Sequence, residues 1–163
     1  MAHFPEKWKA LAPEGYAAGG TSDRMVAFVD LAPTMLSIAG IQPLDWMQGE
    51  AFAGKFAAEA PAYSYCFRGR MDERYDMTRT VMDQRYVYLR QYMPHRIYGQ
   101  HVDYMFETPT TRVWHELFHA GKLNEAQSHF WRQKPAEELY DLQADPDEVN
   151  NLAASPEHRA VLE

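Results

Sequence analysis

The sequence is short of several things, and each shortage narrows what the chain can be. It holds one cysteine, Cys66, among 163 residues, so no intramolecular disulfide staples it, and cysteine usage leaves its compartment undecided. No apolar run approaches the roughly 20 residues that cross a bilayer as a helix. The opening Met1-Ala-His-Phe-Pro-Glu-Lys-Trp has no signal-peptide apolar core. Basic residues are in deficit: 16 Lys and Arg against 23 Asp and Glu give a formal net charge of −7. With no basic cluster either, the chain reads as having no nucleic-acid partner and no membrane partner. Internal repeats and low-complexity tracts are absent. What is plentiful is apolar and aromatic side chain, 46% and 13% of residues, enough for a real core at this length.

Residues 1–24 are rich in Pro and Gly, and Phe4 to Trp8 reads as the end of a strand with its exit. Asp30 is a plausible N-cap for a helix over about 30–39, with Pro33 in its first turn, an apolar stripe of Leu31, Met35, Leu36 and Ile38, and Gly40 as its stop. Residues 41–60 read as a loop. Strands are expected at Ala62–Phe67, Thr78–Met82, Arg85–Tyr92 and Leu139–Leu142, giving a small antiparallel sheet of about four strands packed with helices. In the third, Tyr86, Tyr88 and Arg90 alternate with Val87, Leu89 and Gln91. A long insertion at about 93–134 interrupts the strands. Its clearest feature is a helix with Thr108 as N-cap, Pro109 at N1, an apolar face of Val113, Trp114, Leu117 and Phe118, and Gly121 as stop. Ser155-Pro156 opens a last helix.

Two short motifs invite chemistry. His115-Glu116-Leu117-Phe118-His119 fits the His-Glu-x-x-His pattern of zinc hydrolases, with both imidazoles on one helix face and Glu116 placed as a base. Its extended form fails, because Lys122 and Glu125 stand where Gly and a third His belong. Glu137 or Glu138 is left as a distant third ligand, against the alternative of two ordinary helix histidines beside packed aromatics. Cys66 in Cys-Phe-Arg-Gly-Arg reads as a buried strand cysteine behaving as a small hydrophobe.

The stretch Glu137 to Leu152, Glu-Glu-Leu-Tyr-Asp-Leu-Gln-Ala-Asp-Pro-Asp-Glu-Val-Asn-Asn-Leu, is more specific. With its Glu-Leu-Tyr-Asp-Leu, Asp-Pro-x-Glu and Asn-Leu-Ala pieces it resembles the C-terminal signature of the sulfatase family, in the alkaline-phosphatase-like superfamily. Val26-Ala-Phe-Val-Asp-Leu-Ala-Pro-Thr-Met-Leu-Ser-Ile-Ala-Gly40 resembles the segment after that family's catalytic core. The insertion, with Thr108-Pro-Thr and its Trp- and Leu-bearing helix, is similar to the heparan N-sulfatase (sulfamidase) branch and its bacterial relatives.

The resemblance implies an α/β, alkaline-phosphatase-like fold of which this chain is a C-terminal fragment. Residues 1–60 would be the end of the core, and 61–163 an antiparallel subdomain. The intact enzyme would hydrolyse sulfate esters or sulfamates of a small molecule or glycan. It would use a divalent cation, usually Ca²⁺, and a formylglycine matured from Cys/Ser-x-Pro-x-Arg. Those elements lie upstream in the family, and Arg68 stands where the proline would follow Cys66. The chain alone is therefore expected to be inactive, to bind neither cofactor, and to need the missing N-terminal core as its partner. A non-catalytic structural module is the alternative. The family is often periplasmic, secreted or lysosomal. Asp141, Asp145 and Asp147 would be structural turn residues. Since the family's C-terminal subdomain edges the cleft, Arg68, Arg70, Asp72, Glu73 and Arg74 are candidates for the pocket wall, with His95 and Arg96 a second group. A guanidinium fork suits sulfate or carboxylate; the alternative is a solvated charged turn.

Overall fold

The computed structural model describes residues 2–163. The chain divides into two compact units, residues 1–64 and 65–163.

In the first unit, Phe4 to Trp8 is not a strand. A 3-10 helix runs Glu6–Leu11, opened by a bond from the Trp8 N–H to the Pro5 carbonyl. Proline has no N–H to give a ladder, and among the described residues no strand precedes Ser64 to pair with this stretch. Phe4 is held instead by Tyr16, whose hydroxyl accepts its N–H at 3.0 Å while the two rings stand edge to face.

Helix α1 spans Leu31–Ile38. Its end follows the sequence: Gly40 has φ +75°, and bonds from Gly40 N–H to Ser37 and from Ile41 N–H to Leu36 make a Schellman stop. Its start and its packed face do not. Asp30 makes no side-chain cap on α1; a 3-10 turn, Phe28–Asp30, precedes it, and the carboxylate accepts the N–H groups of Ala27 and Glu50. The expected apolar stripe splits: Leu31 is 42% and Met35 67% exposed and Leu36 and Ile38 are only half-buried, while Pro33, Thr34 and Ser37 are buried. The small polar face wins because it can serve backbone. Thr34 Oγ1 accepts from the Phe52 N–H at 3.1 Å and Ser37 Oγ from the Phe56 N–H at 2.8 Å, donors that a folded-back loop would otherwise bury unpaired.

The second unit is built on a sheet in the order β1-β2-β3-β4, of strands Ser64–Met71, Arg74–Met82, Tyr86–Gln91 and Glu137–Asp141. β2 and β3 pair antiparallel from Thr78↔Gln91 to Met82↔Val87, and β3 and β4 from Tyr86↔Asp141 to Arg90↔Glu137. Between β2 and β3, Asp83 Oδ1 accepts the N–H groups of Arg85 and Tyr86 and fixes the turn. The alternation read from β3 holds in part: Val87 and Gln91 are buried and Arg90 is exposed, but Leu89, like Tyr86 and Tyr88, is half-buried. The register puts Thr78, Val87, Gln91, Glu138 and Tyr140 on one face.

That face is served by the insertion, which bridges to itself through Ile97↔Gln133 and sends in Tyr98 and Lys134. Three helices lie in it: α2 (Asp103–Phe106), α3 (Pro109–His119) and α4 (Glu125–Ser128). Thr108 and Pro109 start α3 as read, and Gly121, at φ +66°, stops it. Its apolar face is only partly used: Val113 is 53% exposed, whereas Trp114, His115 and Phe118 gather on the buried Trp131. On the outer side of β4, Asn151 stands in for a further strand. Its Oδ1 accepts the Leu139 N–H and its Nδ2 donates to the Glu137 carbonyl, satisfying an edge that would otherwise be open. Ser155 and Pro156 open a 3-10 turn, Pro156–His158, and then α5, Arg159–Leu162. No helix among the described residues is long and apolar enough to cross a membrane.

Candidate functional site

The charged candidates collect at one end of the sheet. β1 runs on through Arg68 and Arg70 to a tight turn at Asp72 and Glu73, with Asp72 at φ +50°, and β2 starts at Arg74. β3 leaves its last rung at Gln91 and turns back through Met93–Arg96, closed by the Arg96 N–H on the Met93 carbonyl. The antiparallel register therefore puts exposed His95 and Arg96 at the same end as the β1–β2 hairpin.

Within this group the arginines differ. Arg70 lies over the Tyr75 ring, 5.3 Å from its centroid, and its Nε donates to the Asp72 carbonyl at 2.5 Å. Ring contact and hydrogen bond together hold an exposed guanidinium in one pose. Arg74 Nε donates to the His101 carbonyl and lies 3.7 Å from Glu73; that ion pair, open to solvent on both sides, adds little. Arg68 turns elsewhere, its Nε 3.6 Å from Asp76.

Asp76 opens a buried polar network that the sequence reading missed. Its side chain is 1% exposed and that of Lys134 0%, and the ammonium donates to both carboxylate oxygens. Beside it Thr78 Oγ1 donates to Gln91 Oε1, and Gln91 Nε2 to Glu138 Oε1 at 2.8 Å. Tyr98 and Tyr140 donate their hydroxyls to the same Glu138. Burial, then the Glu138 carboxylate, push both phenols far above the usual tyrosine range, so they remain donors. The signal was present in β2: Asp76 shares the inward phase of Thr78.

The zinc reading fails on its third ligand. His115 and His119 do meet, Nε2 to Nε2 at 3.0 Å. But Glu138 is consumed by Gln91 and the two tyrosines, and Glu137 by Tyr88 and Arg90. Among the described residues no group of three or more His, Cys, Asp or Glu side chains could hold a metal ion. Of the turn aspartates, Asp141 takes the Arg85 guanidinium through Nε and Nη2 and the Gln143 and Ala144 N–H groups, and Asp145 takes the Asn150 N–H.

Residues 9–163 match the family described as N-sulphoglucosamine sulphohydrolase, C-terminal. The chain belongs to that sulfatase family. Two ulvan-active sulfatases of Formosa agariphila are similar to it. One is 42% identical over 87% of this chain and 24% of its own length, the other 29% identical over 98% of this chain and 30% of its own. A solved 2-O GAG sulfatase shares the fold, at a TM-score of 0.55 and 20% identity, over 88% of this chain and 24% of that one. The sulfatase chain thus spans about a quarter of the length of the relatives it matches. Its fold class is that of the C-terminal part of the α/β, alkaline-phosphatase-like sulfatases, carried here by a four-stranded antiparallel sheet with helices.

Proposed function

We propose that this chain is the C-terminal part of an enzyme hydrolysing sulfate esters or sulfamates, with residues 1–60 completing the enzyme's core and 61–163 forming a subdomain beside the cleft. The match over residues 9–163 carries this reading. Its substrate class would be a sulfated saccharide, in line with relatives described as ulvan-active and a structural relative described as a 2-O GAG sulfatase. The sheet end with Arg70, Asp72, Glu73, Arg74 and His95 would face that saccharide. Arg70 is the foremost of them, being exposed and yet held by Tyr75 and Asp72.

The family's Ca²⁺ and formylglycine do not fit the residues present. Cys66 lies within β1, exposed rather than buried as the sequence suggested, with Arg68 two places on, and the described residues contain no metal-holding cluster. No step is derived through either group; both would belong to the core that this segment matches only at its end.

The test is turnover of a sulfated polysaccharide such as ulvan by the enzyme containing this segment, against the 163-residue chain alone. The former should release sulfate and the latter none; metal-dependent turnover by the chain alone overturns the reading. Arg70→Ala in the active enzyme should raise KM about ten- to a hundredfold, as expected for losing a charged hydrogen bond of about 1.5–3 kcal/mol. An unchanged KM removes Arg70 from the pocket wall.

A further inference from the structure

The structure brings His115 and His119 together in a way the sulfatase reading does not use. They are one helical turn apart on α3, and their Nε2 atoms lie 3.0 Å from one another. The His115 ring is fixed by Trp131, centroids 4.8 Å apart, and by the edge of Phe106 at 5.3 Å. Its partner imidazole is exposed, so an ion from solvent has access.

We propose that His115 and His119 form a two-imidazole chelate for a divalent transition metal with a right-angled bite, Cu²⁺ or Ni²⁺. Two nitrogens about 2.1 Å from one metal stand about 3.0 Å apart when the angle between them is 90°, and about 3.4 Å apart at the tetrahedral angle. The spacing therefore suits cis positions of a tetragonal or octahedral ion, and imidazole nitrogens favour Cu²⁺ over Zn²⁺. The metal would sit where the two ring nitrogens now hydrogen-bond, the donating ring carrying its proton on Nδ1 instead, and water would fill its other positions. Glu116, beside His115, and His101, set against the Phe106 ring that also meets His115, are the neighbouring titratable groups, and neither completes a three-ligand set. This is a binding site without hydrolytic chemistry, and it stands whether or not the saccharide reading holds.

The test is calorimetric titration of the chain with CuCl₂, NiCl₂ and ZnCl₂ in a non-chelating buffer. A His3→Ala background is needed, because a free amino terminus followed by His at the third position itself binds Cu²⁺. One Cu²⁺ should bind, at least tenfold more tightly than Zn²⁺, and the thermal midpoint should rise with it. His119→Gln, which keeps the helix, should weaken binding at least tenfold and abolish that rise; His95→Ala should leave both unchanged. Binding that survives His119→Gln overturns the proposal, and so does Zn²⁺ binding as tight as Cu²⁺, which would mean a closed tetrahedral site.

Discussion

Lys134 donates to both oxygens of Asp76 where neither side chain is more than 1% exposed. One residue comes from the end of the insertion and the other from β2, so this pair ties the insertion to the sheet. Removing one partner of a buried pair leaves a charge without compensation, at about 3–5 kcal/mol. Asp76→Asn should cost that much in urea unfolding at pH 7. Asp76→Asn with Lys134→Met should recover most of the loss, since exchanging both members of a buried pair is often close to neutral. An additive double mutant would show that the two do not act as a pair.

Acid should act partly through Asp141. The Arg85 guanidinium and the backbone N–H groups of Ala144 and Gln143 hold its carboxyl below the ordinary range. A carboxyl of depressed pKa stabilises the fold above its unfolded pKa, about 3.9, and that stabilisation is lost as pH falls through the folded value. Asp141→Asn should therefore be less stable than the parent at pH 7, and the gap should narrow as pH falls below the ordinary carboxylate range. Parallel stability curves for the two proteins would reject this account.

Gly54 and Gly15 separate two effects of adding a methyl group. Both have positive φ, +89° and +73°. A Cβ on Gly15 would meet nothing within 4 Å, whereas one on Gly54 would lie 2.4 Å from the Ser37 carbonyl carbon. Gly15→Ala should cost about 1–2 kcal/mol for the left-handed backbone alone. Gly54→Ala should exceed it clearly in thermal or urea unfolding, because the loop that bonds Thr34 and Ser37 must move off α1. Equal costs would mean that the loop yields freely.

Trp131 is the hub of the insertion, touching Phe106, Trp114, His115, Phe118 and Phe130. Its indole N–H is buried without an acceptor, so the ring contributes through area and shape. Trp131→Ala should cost about 3–5 kcal/mol, and Trp131→Phe far less, since it removes an unpaired donor along with some area. Comparable losses in the two variants, followed by urea unfolding, would contradict that division.

Local chemistry was readable wherever a residue acts on its own backbone. Gly40 and Gly121 stop their helices because only a residue without Cβ takes their φ cheaply. Pro109 opens α3 because the first turn needs no N–H there. The four strands appeared close to their predicted places, and the Glu137–Leu152 stretch pointed to the sulfatase family before any fold was in view. Asp30 went astray because a carboxylate before a helix can serve any nearby N–H, and the one supplied by Glu50 lies twenty residues away in the chain.

By itself, then, the sequence determined the family, the four-stranded sheet and the positions where α1 and α3 stop, all set by side-chain period and by steric limits within a few residues. Only the tertiary structure decided which face of α1 is buried, that Asp76 meets Lys134, that Arg68 turns inward while Arg70 stays out, and that His115 and His119 share no third ligand. Those outcomes depend on which distant segment arrives with a donor, a charge or a missing side chain, and no local pattern records that arrival.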